Sequence, residues 1–163
     1  MPRRIGLIAD THGLLRPEAL AALAGAETVL HAGDIGGAAI LDALAAIAPV
    51  HAVLGNNDTE PWAAHLPEAL RLRFEGIDIL LVHDVADAVP EGARVIVSGH
   101  SHRPGVTARE GRLWVNPGSA GPRRFALPVT IGWLHVDGDT VTAELVELVV
   151  PGPKRRGAPN RAT

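Results

Sequence analysis

The chain has 163 residues, 47% of them hydrophobic, and no internal repeat, so one α/β-sized domain over residues 1–150 is the natural count. It has no cysteine, which excludes disulfides, thiolate catalysis and cysteine-held zinc and leaves oxygen and imidazole as metal ligands. The net charge of −3 and the scarcity of aromatics (Phe74, Phe125, Trp62, Trp114 and Trp133) argue against a surface for long or single-stranded nucleic acid.

The first apolar run, residues 5–9, ends at Asp10. It has the length of a strand and is too short for a signal peptide or a membrane span, so cytoplasmic residence without a membrane partner is expected. A helix is predicted over residues 17–23, with Pro17 in its first turn. A second strand over residues 28–32 leads into Gly33-Asp34, and residues 38–48 carry apolar positions at helical spacing. A third strand over residues 50–54 must stop at Gly55-Asn56-Asn57-Asp58, four residues that favour turns.

Residues 69–74 and 77–83 flank Glu75-Gly76 as a hairpin. Residues 94–98 run into Gly99-His100-Ser101-His102. The segments 105–109, 112–115, 129–136 and 140–149 read as antiparallel strands joined at Glu110-Gly111 and Asp137-Gly138-Asp139. Residues 151–163 hold Lys154, Arg155, Arg156 and Arg161 without an acid, which leaves the body at −7, four below the whole-chain value; this basic tail is expected to be disordered.

Asp10, Asp34, Asn56, His83 and His100 each fall just past an apolar strand. In α/β sheets ligands gather beyond the carboxyl ends of the strands, so these dispersed segments can converge. In an extended segment residues i and i+2 point the same way, which would let Asp10 with His12, and His100 with His102, present paired ligands. Asp34 has oxygens enough to bridge two cations. Mixed carboxylate, amide and imidazole ligands suit Mn²⁺, Fe or Zn²⁺ better than Ca²⁺.

Asp10-Thr11-His12-Gly13, Gly33-Asp34, Gly55-Asn56-Asn57-Asp58, His83 and Gly99-His100-Ser101-His102 resemble, in order, the motifs of the calcineurin-like metallophosphoesterases, in particular the small bacterial and archaeal phosphodiesterases. Asn116-Pro117-Gly118-Ser119 is also typical of that subgroup. The resemblance implies a four-layer α/β/β/α sandwich with one metal held by Asp10, His12, Asp34 and His102 and another by Asp34, Asn56, His83 and His100. The ions would be two divalent metals, Mn²⁺ foremost, with Fe, Zn²⁺, Ni²⁺ or Co²⁺ as alternatives.

The implied activity is hydrolysis of small phosphodiesters by a metal-bridging hydroxide, with Asp34, His12 and Asn57 as the catalytic positions. Asn57 stands where many members have a histidine that protonates the leaving group, and Asp84 follows His83 where glycine is usual. A phosphomonoesterase is an alternative, as is a non-catalytic interaction scaffold, the role of the retromer subunit of this fold; an amidohydrolase barrel would need about 250 residues. A homo-oligomer is compatible with the sequence.

Some polar residues have plainer readings. His51, His65 and His135 are expected to be structural or exposed, and His31, one strand face away from Asp34, reads either as structural or as support for the site around Asp34. Asp58 is expected either to support the ligands or to cap the segment after Thr59. Asn116–Ser119 reads equally as a strand-end turn or as pocket lining, and Arg123 and Arg124 as solvated cations or as a grip on phosphate.

Overall fold

A computed structural model describes residues 2–124 and 126–151; the expected disordered tail, apart from Pro151, lies outside the described residues. In chain order the elements are β1 (Arg3–Ile8), α1 (Pro17–Ala22), β2 (Thr28–His31), α2 (Ala38–Ala45), β3 (Val50–Ala52), β4 (Ala69–Phe74), β5 (Ile77–Val82), β6 (Val95–Val97), β7 (Gly105–Arg109), β8 (Arg112–Asn116), β9 (Thr130–Asp137) and β10 (Thr140–Glu147). Short 3-10 helices cover Pro61–Ala63 and Val85–Asp87.

The strands form two mixed sheets, ordered β10-β9-β1-β2-β3 and β4-β5-β6-β8-β7. β1, β2 and β3 run parallel, as do β5 and β6. Parallel neighbours need crossovers, and α1 and α2 supply those of the first sheet. The hairpins β4–β5, β7–β8 and β9–β10 turn where Glu75-Gly76, Glu110-Gly111 and Asp137-Gly138-Asp139 were expected to turn them.

Strand alternation sorts side chains between two cores. Ile5, Leu7, Leu30, Ile79, Leu81, Val95, Val97 and Leu134 meet between the sheets, and aliphatic side chains do fill that space. On the outer face of the first sheet, Ile8, Val29, Ile131 and Trp133 pack with Leu23, Ile40 and Leu44.

The other outer face is thinner than a full helical layer. Leu80, Val82 and Ile96 are covered there by Ala88 and Ala93, in the loops around the 3-10 helix Val85–Asp87. The fourth layer is therefore present only as a short turn and loop among the described residues. α2 also ends three residues before the predicted 48, because Pro49 disfavours helical backbone in the residue before it; Ile47 N–H bonds to the Leu44 carbonyl at 2.9 Å, closing the helix with a tighter turn.

Candidate metal centre

β1, β2, β3, β5 and β6 all deliver their C-terminal ends to one side of the molecule, and the loops that follow carry the predicted residues. The local conformation differs from the extended one expected. Asp10, His12, Asp34, His100 and His102 have φ of 55°, 45°, 56°, 72° and 63°, the left-handed region that L-residues disfavour by roughly 1–2 kcal/mol each. The convergence is correct but extended geometry is not its cause. Strand ends break abruptly, and the ligand loops are held by one another: Asp10 N–H bonds to the Gly33 carbonyl at 3.0 Å, and His12 N–H to that of Asp34 at 2.9 Å.

The side chains form two clusters, Asp10 with His12 and His102, and Asp34 with His83 and His100, the candidate ligand atoms within each lying within 4.8 Å of one another. His12 Nε2 and His102 Nε2 are 3.3 Å apart, and Asp10 Oδ1 is 3.7 Å from His102 Nε2. In the second cluster His83 Nε2 lies 2.8 Å from Asn56 Oδ1 and 3.3 Å from His100 Nδ1. Asp34 Oδ2 stands between them, 3.3 Å from His83 Nε2 and 3.8 Å from His12 Nε2.

This arrangement fits a cation. His83 Nδ1 lies 2.7 Å from the Ala32 carbonyl, which can only accept, so Nδ1 carries the proton. Neutral His83 then turns a bare Nε2 toward the oxygens of Asn56 and Asp34, an arrangement that needs a proton or a metal ion. Asp10 Oδ1 is buried without a hydrogen-bond partner, and such a buried acceptor is costly unless a ligand satisfies it.

Burial pushes the Asp10 carboxyl up to about 7, the neighbouring Asp34 charge adding to it against the pull of His83. Burial would also raise Asp34, but hydrogen bonds from His83 and the Asn57 N–H overcome it and hold Asp34 down at about 2. Burial, with Arg124 and His12 nearby, lowers His102 to about 4, and burial likewise lowers His12. Burial would lower His83, but its hydrogen bonds to Asp34 and the Ala32 carbonyl, together with the Asp34 and Asp10 charges, raise it.

A carboxyl raised in the folded state binds its proton more tightly than the unfolded chain does. Asp10 therefore makes metal-free protein lose stability as pH rises from its unfolded value near 4 through 7. A bound cation needs that carboxylate ionised, so protons compete with metal. Added Mn²⁺ is expected to raise the melting temperature more at pH 8 than at pH 6; a shift equal at both would contradict the protonated Asp10.

Around the clusters, Asn57 donates its backbone N–H to Asp34 Oδ1 at 2.8 Å and its amide to Oδ2 at 3.1 Å. His31 does not reach Asp34. Its Nδ1 accepts the Gly33 N–H, its Nε2 faces the Thr11 hydroxyl at 3.0 Å, and Thr11 donates to the Ile35 carbonyl, so buried His31, lowered to about 3 by desolvation, braces the loop carrying Asp10 and His12. Asp58 does not cap the segment after Thr59; it accepts the N–H groups of Ile35, Gly36 and Gly55. Asp84 accepts the Ala86 N–H and lies 3.7 Å from His100 Nε2.

Sequence reasoning missed the Thr11 and Ser119 hydroxyls, the latter bonded to the Asp10 carbonyl at 2.9 Å. Their nearness to ligands in sequence or motif was the available signal. His135 pairs with Glu144 across β9–β10, and neither His51 nor His65 joins a cluster of candidate ligands among the described residues. Arg123 and Arg124 are exposed, with the Arg124 charge felt by Asp10 and His102.

Residues 4–139 match the model of the calcineurin-like phosphoesterase superfamily domain. The chain belongs to this superfamily. It is 32% identical to a probable metallophosphoesterase of Methanothermobacter thermautotrophicus, over 90% of this chain and 94% of that one. Vacuolar protein sorting 29 from Cryptosporidium parvum shares the fold with a TM-score of 0.79 at 21% identity, covering 91% of this chain and 92% of the other. A structure described as a novel archaeal phosphodiesterase has a TM-score of 0.73 at 22% identity, covering 88% and 99%. As a metallophosphoesterase this chain has a solid reason to place carboxylates and imidazoles together, and among its described residues no helix is long and apolar enough to cross a membrane.

Proposed function

We propose that this metallophosphoesterase is a dinuclear phosphodiesterase of the cytoplasm acting on small phosphodiesters. The carrying observation is that Asp34 Oδ2 stands within 3.8 Å of a histidine Nε2 from each cluster. Asp10, His12, Asp34 and His102 would hold one ion, and Asp34, Asn56, His83 and His100 the other. Divalent ions there, Mn²⁺ foremost, would supply Lewis acidity toward a phosphoryl oxygen and activate water for in-line attack.

The protein's own part is to hold anions apart and aim donors. Asn57 presents two N–H groups to Asp34 and so keeps that carboxylate ionised and oriented between the clusters. The imidazole of His12, one-fifth exposed, faces outward enough to approach a phosphoryl oxygen. Beside His83, His100 and Asn56 opens a cavity of about 690 Å³ lined also by Leu54, Glu68, Val82 and Asp87, room for an ester's organic part. The resemblance to a structure described as an archaeal phosphodiesterase supports diesters over monoesters.

Asn57 cannot deliver a proton to a leaving alcohol at neutral pH, and its backbone and side-chain nitrogens each donate to Asp34. Rates are therefore expected to fall steeply from aryl to alkyl phosphodiesters, and equal rates on both would contradict the assignment. The reading as a whole is tested on metal-stripped protein reloaded with Mn²⁺, Ni²⁺, Zn²⁺ or Mg²⁺ and assayed against diesters and monoesters. Two bound metals without turnover by any ion would favour an interaction scaffold instead, and faster monoester turnover would replace the diesterase by a phosphomonoesterase.

A further inference from the structure

The motif Asn116-Pro117-Gly118-Ser119 contributes no atom to either cluster of candidate ligands, yet it lies between the two loops that do. It leaves β8 in the second sheet and reaches the first sheet at Ala120, whose N–H bonds to the Ala9 carbonyl at 3.1 Å. Gly118 has φ of 77°, and a Cβ there would overlap the Thr130 hydroxyl, so the turn needs glycine.

The Asn116 carboxamide is oriented without ambiguity. Its Oδ1 accepts the Gly118 N–H at 2.9 Å, and its Nδ2 donates to the Gly99 carbonyl at 3.0 Å and to Ser101 Oγ at 3.2 Å. Those acceptors bracket His100 in a turn that also carries His102. Three residues on, Ser119 Oγ donates to the Asp10 carbonyl, and the His100 N–H closes the circuit on Asp10 Oδ2 at 3.0 Å.

We propose that Asn116 is a positioning residue that straps the His100–His102 turn to the Asp10 loop and so sets the metal affinity of both clusters together. The physical need is plain in the backbone. His100, His102 and Asp10 all sit in the left-handed region, a conformation that persists only where surrounding bonds over-determine it. The turn supplies one imidazole to each cluster, so releasing it loosens both. Ser119 anchors only the Asp10 side. Nothing in this requires Asn116 to touch substrate.

The inference rests on the two-metal reading above, and the test separates the two. Metal-stripped wild type, Asn116→Asp, Ser101→Ala and Ser119→Ala are titrated with Mn²⁺ against a competing chelator, and each is melted without metal. Asn116→Asp keeps the acceptor for Gly118 and removes the donor to the turn. It is expected to weaken both Mn²⁺ equivalents by about 10–100-fold, the usual cost of losing a group that orients ligands, while the metal-free melting temperature moves by less than about 4 °C. Ser101→Ala should weaken both in the same direction by less, and Ser119→Ala chiefly the equivalent held with Asp10.

Wild type that binds no Mn²⁺ would sink the two-metal reading itself. Wild type that binds two while Asn116→Asp binds them equally well, or loses only one, would overturn the strap alone. Should Asn116→Asp melt far lower, exposed Ser101 decides: weakened binding in Ser101→Ala with unchanged melting supports the strap, and unchanged binding overturns it.

Discussion

Asp34→Asn is expected to fold, to lose at least one bound metal, and to hydrolyse a diester such as bis(p-nitrophenyl) phosphate at least on the order of 10²–10³-fold more slowly, the scale for removing one preorganised charge-stabilising group. The substitution is nearly isosteric, so the Asn57 N–H can still reach Oδ1. What disappears is the negative charge that Asp34 Oδ2 directs toward both His83 and His12. Replacing one oxygen by an amide also turns a donor toward a cluster built to bind a cation. Asp78→Asn, at a half-buried carboxylate of β5 paired with Arg73 of β4 far from both clusters, is the control and should match wild type. Metal content and rate both unchanged in Asp34→Asn would remove Asp34 from the centre of the proposal.

The sequence was legible where one residue type had to follow one strand. Runs such as Ile5–Ala9 and Ile79–Val82 are apolar on both faces because the facing sheet covers one side and helices, or the loops around Val85–Asp87, cover the other, so their ends stand out against Asp10 and His83. The hairpin turns were legible for the same reason: Glu75-Gly76 and Glu110-Gly111 combine positive-φ residues between strand-like runs. The number of sheets was a different matter. Nothing local distinguishes β5 and β6 from β1 and β2, and only the resemblance implied a second sheet.

Within the site, residue identity was readable and backbone conformation was not. The spacing of His100 and His102 suits an extended pair on paper, yet both adopt left-handed φ, because contacts 90 residues away decide: Asp10 Oδ2 accepts the His100 N–H. Such long-range bonds leave no periodic trace. The same holds for His31, whose partner Thr11 lies on the neighbouring strand's loop, and for Asn57, which looked like a vacant acid position and turns out to hold Asp34.

Asp58 shows most clearly how a loop residue outside the ligand set can govern it, and its replacement carries the second large expected effect. Its carboxylate is buried at 5% exposure and accepts N–H groups from Ile35 at 3.0 Å, Gly36 at 3.2 Å and Gly55 at 3.0 Å. Those residues flank Asp34 and Asn56, so one side chain fixes two ligand loops against each other. The loops approach so closely that a Cβ on Gly55 would overlap the Asp34 backbone nitrogen. Asp58→Ala strands three donors in a space with little room for water, at about 1–3 kcal/mol for each that finds no partner. Because loop relaxation rescues some, a net loss of about 3 kcal/mol is expected, visible as a lower denaturation midpoint at unchanged m-value. Metal should restore only part of it, since the loops that present Asp34 and Asn56 must be reordered before either can bind. Asp58→Asn is the sharper probe: it keeps the volume but points an amide N–H at a backbone N–H, so it should also destabilise, and a loss below about 0.5 kcal/mol in both variants, within the range of ordinary surface changes, would show that the loops hold without this clamp.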